Sequence, residues 1–88
     1  MGKRTMVEAI DEPIEVLTLF QGGKVHPVRF RWKNRVVRVK RVTGDWMTTV
    51  GQDRIYYFSV LGESSDYFEI SYNTRKMSWT LTRVWLDG

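Results

Sequence analysis

Arg29, Arg31, Arg38 and Lys40 are the residues whose type and spacing suit a definite chemistry. They sit at alternate positions on either side of Lys33-Asn34, interleaved with Val28, Phe30, Val37 and Val39. Arginine grips phosphate or carboxylate through a planar fork of N–H donors, and lysine supplies a compact point charge. Lys33 and Arg35 add two more cations at the turn between the two halves. From Lys24 to Thr43 there are eight Lys or Arg and no Asp or Glu. A purely basic ribbon attracts an anionic partner, and nucleic acid, DNA or RNA, is the commonest. Trp46 follows a Gly-Asp turn and is the aromatic best placed for the surface, where a ring can stack on a base. The candidate nucleic-acid-binding set is Arg29, Arg31, Lys33, Arg35, Arg38, Lys40 and Trp46. An acidic protein surface is the other partner such a charge would attract. The plain structural alternative is that these charges keep a strand edge soluble and unaggregated.

Other chemistries have little to work with. His26 is the single histidine and there is no cysteine, so a His-assisted nucleophile would have to rely on an edge residue beside Pro27. No nucleophile elbow, phosphate-cradling glycine loop or zinc-binding helix motif is present. The expectation is a non-enzymatic protein with no catalytic residue, no metal and no cofactor. Glu8, Asp11, Glu12 and Glu15 lack the spacing of a calcium loop. They read as a solvated acidic arm, or as one that folds back over the basic hairpin and offsets its charge.

The elements that must position these cations follow from the hydrophobic pattern. Residues 25–32 and 35–42 alternate apolar and basic side chains, which makes two strands joined by a tight turn at Lys33-Asn34. That register puts Phe30 opposite Val37, Val28 opposite Val39 and Arg29 opposite Arg38. Val28, Phe30, Val37 and Val39 are then core, and the arginines are the open face. An Asn34-Arg35 loop would shift the pairing by two residues and leave the two faces sorted the same way. Residues 14–20, 46–50, 54–61, 66–72 and 77–86 add further strands, and Thr43-Gly44-Asp45 is a turn or bulge. The fold class is all-β: about six antiparallel strands in one small domain over residues 13–88, a curled meander or small barrel. Residues 1–12 read as a weakly ordered arm or a short helical turn, with Pro13 as its boundary.

Composition sets the scale. With 88 residues and no cysteine, the chain has a thin core and no disulfide to staple it. Its twelve aromatics, four each of Trp, Tyr and Phe, must fill that core. Trp32, Tyr57, Phe68, Trp79 and Trp85 are the expected core aromatics. The net charge is +4, and the acids fall before and after the basic segment rather than within it. No signal peptide or membrane span is expected, and the composition fits a cytoplasmic setting.

Several of these segments keep a familiar order. They are Pro13-Ile14-Glu15-Val16, Phe30-Arg31-Trp32-Lys33-Asn34-Arg35-Val36-Val37-Arg38-Val39, Trp46, Arg54-Ile55-Tyr56-Tyr57-Phe58, Tyr67-Phe68-Glu69-Ile70 and Trp79-Thr80-Leu81-Thr82-Arg83-Val84. In that order the chain resembles a family of small bacterial proteins of unknown function. It is also similar to the C-terminal module of ImuB-type proteins, the inactive relatives of Y-family translesion polymerases. The resemblance covers residues 13–87. It departs at Asn34, where the family has glycine, and at Val37, where it has tyrosine. It implies a bacterial cytoplasmic protein associated with DNA repair or mutagenesis. It implies no catalytic activity that could be transferred.

Overall fold

The computed structural model describes residues 5–87. Its regular structure is all strand: β1 (Thr5–Gln21), β2 (Lys24–Trp32), β3 (Arg35–Val50), β4 (Asp53–Gly62), β5 (Tyr67–Asn73) and β6 (Ser78–Asp87). Each strand pairs antiparallel with its sequence neighbours. β1 also pairs with β6, which closes the meander into a ring. The all-β, six-strand expectation is met.

The expected arm over residues 1–12 is a correction. From Thr5 onward it is the first half of β1, with Met6 to Ala9 laddered on Leu86 to Arg83. The physical reason is β6, which buries Leu81 and Val84 on one face and would otherwise leave an open edge. Residues 1–4 of that arm lie outside the described residues.

β1 is long because it serves two neighbours. Residues 5–14 pair with β6 and residues 15–21 with β2. Pro13, which has no N–H to donate, stands two residues before this exchange of partners. β3 behaves likewise, pairing with β2 over residues 35–38 and with β4 over residues 39–50. The two shared strands make the molecule elongated, 45 × 26 × 24 Å.

The interior is built from alternate residues of every strand. Phe30, Val60, Phe68, Ile70, Leu81 and Val84 are the largest fully buried side chains. Aromatic edges meet faces along its length: Phe30 on Phe68 at 5.2 Å, and Trp32 on Phe68 at 6.4 Å. Further along, Trp79 sits 4.9 Å from Tyr72 and 5.7 Å from Phe58. These spacings lie in the favourable range for aromatic pairs. Gly62 is where β4 must come close: a Cβ there would lie 3.0 Å from Phe68 and 3.2 Å from Val37.

Three sequence expectations about the core are corrected by the register: Val28, Tyr57 and Trp85, the last paired with exposed Val7 and Tyr67 on the outer face of β6 beside buried Val84. Val28, expected inside, is exposed, and Pro27 is buried in its place. The ladder skips Val28: Leu17 pairs with Arg29, and Thr18 with Pro27. This bulge inserts one residue and reverses which side chains face inward. Tyr57, expected in the core, stands on the outer face of β4, because its neighbour Phe58 is the buried one.

Candidate nucleic-acid interface

The β2–β3 turn forms because Lys33 and Asn34 both adopt positive φ, 51° and 58°. Two consecutive left-handed residues are the mark of a type I′ turn, whose twist matches the flanking strands. The ladder is then fixed as Trp32↔Arg35, Arg31↔Val36, Phe30↔Val37 and Arg29↔Arg38. Phe30 and Val37 are buried, so Arg29, Arg31, Val36 and Arg38 face outward.

On this outer face Arg29 is opposed directly by Arg38 on one side and by Leu17 on the other. Arg31 lies between Val36 and Glu15. Glu15 is the one member of the acidic set laddered beside this face. Glu8 and Glu12 pair with β6, and Asp11 lies in the bulge between them. Together these side chains line a shallow open groove of about 550 Å³. Among the described residues the ion pairs are Arg75–Asp53 and Arg83–Glu69, so Arg29, Arg31 and Arg38 enter none. Among the described residues these three guanidinium groups make no side-chain hydrogen bond or ion pair, and they lie on one surface.

The other candidates are distributed differently. Lys33 folds over the Trp32 ring at 4.8 Å, a cation–π contact at the hairpin tip. Arg35 shares the face of Trp32, and with Arg38, Glu63 and Ser64 it lines a second hollow. It therefore does not join the arginine face, because its ladder position has the parity of buried Val37. Lys40 falls in a bulge between Val39 and Arg41. The inserted residue makes Arg41, opposite Leu61, the next outward-facing cation of β3. Sequence alternation missed Arg41, since nothing at 39–41 announces a bulge. Trp46 stands 44% exposed at the far end of β3, stacked parallel on Tyr57 with centroids 5.2 Å apart.

The remaining polar clusters brace the ring. Asn73 Nδ2 donates to Asp53 Oδ2 at 2.9 Å, and Arg75 Nε donates to Asp53 Oδ1. The Arg75 bond first, and then the Asn73 bond, hold the Asp53 carboxyl below its usual range. Asn73 Oδ1 in turn accepts the backbone N–H groups of Arg75 and Lys76. On the outer face of β5, Glu69 accepts from Thr82 Oγ1 at 2.5 Å, with Arg83 at 3.8 Å. Among the described residues no three His, Asp or Glu side chains converge as for a metal. On β2, His26 is exposed opposite Leu19 of β1, and among the described residues it makes no side-chain hydrogen bond.

Comparison of the chain with protein-family models, with curated proteins and with solved structures finds no match.

Proposed function

We propose that this is a binding domain whose partner is a nucleic acid, held by its phosphates on the outer face of the β2–β3 hairpin. One observation carries the reading: Arg29 and Arg38 are directly opposed, with Arg31 beside them and no ion pair to any of the three among the described residues. Opposed like charges on a ladder are unfavourable on their own. A bound anion turns that repulsion into shared attraction. Association with DNA repair in a bacterial cytoplasm rests on the resemblance of residues 13–87 to the small bacterial family and the ImuB-type C-terminal module.

The test is a fluorescence-anisotropy titration with short DNA and RNA. Contacts from three arginines imply affinity falling roughly 20- to 40-fold between about 50 and 200 mM salt. Binding is expected to be lost in Arg29→Glu with Arg38→Glu. No binding at the lower salt, or binding unchanged in that variant, rejects the reading.

A protein partner is the second reading. It is favoured by Leu17, Val28 and Val36, which stand 52%, 41% and 53% exposed around the same arginines. Interfaces concentrate arginine beside apolar side chains in this way. A pull-down insensitive to nuclease but abolished by Leu17→Glu would support it.

A further inference from the structure

The outer face of β3 carries more than the hairpin arginines. Beyond Arg38 its outward row continues through Arg41, Gly44 and Trp46, because a bulge precedes Arg41 and another precedes Gly44. The row's cross-strand partners are Arg29, Leu61, Ser59 and Tyr57. Cations therefore occupy one end of the row and a stacked aromatic pair the other. Between them the floor is low. Gly44 has no side chain and open space above it, and it faces the small Ser59.

We infer that this row is a track for single-stranded nucleic acid, its backbone on Arg29, Arg38 and Arg41 and a base stacked on Trp46. The inference rests on the nucleic-acid reading above and names the form of the polymer. Arg38 and Trp46 are eight residue steps apart, a rise of at most about 26 Å. That suits the few nucleotides, roughly 4–16, that small β-domains accommodate on one strand. Trp46 is held ready: its ring lies 2° from parallel with Tyr57, which covers one indole face, and it keeps 44% of its surface exposed. A ring already fixed by packing loses little rotamer freedom when a base lands on it.

The form of the polymer follows from what each end can recognise. Duplex DNA offers phosphates, but its base faces are stacked inside, so Trp46 would have nothing to cover. A polyanion such as heparin has no bases. Only an unpaired strand uses both ends of the row. Glu15 lines the groove beside Arg31, and Asp45 lies between Gly44 and Trp46 at the inward parity opposite Phe58. Glu69, opposite Ser59, is engaged by Thr82 and Arg83, which offsets its charge.

The experiment compares three labelled probes on the full chain at about 50 mM salt. They are an oligothymidylate of about a dozen nucleotides, a duplex of the same length, and heparin. Trp46→Ala is expected to weaken the oligothymidylate by about 5- to 100-fold and leave heparin within about twofold. Trp46→Leu, which keeps an apolar cover on Tyr57, should show the same loss with an unchanged circular dichroism spectrum. Arg41→Glu should weaken both probes. Oligothymidylate affinity unchanged in both Trp46 variants, or duplex bound as tightly as single strand, overturns the track and leaves the nucleic-acid reading standing. Failure of both nucleic-acid probes to bind, or indifference to Arg38→Glu, overturns the nucleic-acid reading with it.

Discussion

Replacing Arg38 by glutamine should make this domain more stable, and only where salt is low. Arg38 and Arg29 are direct cross-strand partners, and no carboxylate among the described residues pairs with either. Opposed residues have Cβ atoms about 5 Å apart, and long side chains can splay their charges to about 7 Å. At that distance in water the repulsion is about 0.6 kcal/mol. Glutamine keeps the length and most of the packing of arginine but removes the charge. With an m-value of about 1 kcal/mol per molar urea for so small a domain, the urea midpoint should rise by about 0.6 M. Salt supplies the control. The screening length shrinks from about 30 Å at 10 mM to about 3 Å at 1 M, so the gain should vanish at the higher concentration. A midpoint that falls in the variant, or rises equally at both salts, would falsify the claim that these arginines repel each other. Adding heparin should stabilise the parent chain more than the variant and so narrow or reverse the ranking.

Four other outcomes follow from the fold. Phe68→Ala removes the ring that Phe30 and Trp32 pack against and should cost about 3–5 kcal/mol, read from urea denaturation. Gly62→Ala forces a methyl group against Phe68 and Val37 and should cost about 1–3 kcal/mol by the same measurement. Met77 holds φ 53° and is 77% exposed, so Met77→Gly relieves a left-handed backbone without loss of packing. About 1 kcal/mol of relief corresponds to a melting temperature about 4–8 °C higher. Asp53 has a lowered pKa in the folded state, so its contribution is present above the unfolded value and is lost as pH falls through the folded one. The loss belongs below about pH 4. Asp53→Asn should therefore lower the melting temperature at neutral pH and flatten its decline in acid.

The sequence was most legible where one strand covers one face of the core. Phe30, Val37 and the turn between them were readable because alternation and a two-residue loop determine each other. Arg29 opposite Arg38 follows from the same pattern. Legibility ended at the bulges. Nothing in His26-Pro27-Val28 announces that Pro27 will take the inward place, and nothing in Val39-Lys40-Arg41 announces that Arg41 will replace Lys40 on the outer row. Bulges answer to ring closure, a long-range requirement that local periodicity does not encode. The same limit hid residues 5–12. Their acidic, weakly patterned sequence looks like an arm, yet β6 recruits them because its own edge needs pairing. The outward place of Tyr57 was ambiguous for a related reason: β4 is apolar on both faces, and only the neighbours decide which is inside.

The pairing of Thr5 with Asp87 brings the two ends of the described chain side by side. A short linker across that gap would let the chain be circularly permuted, with new ends opened in the exposed Gly22-Gly23 turn. The same geometry means the ring can be spliced into a surface loop of a larger protein without pulling its strands apart. An entry and an exit a few ångströms apart make it a cassette, able to carry its basic face wherever a host chain has a turn to spare.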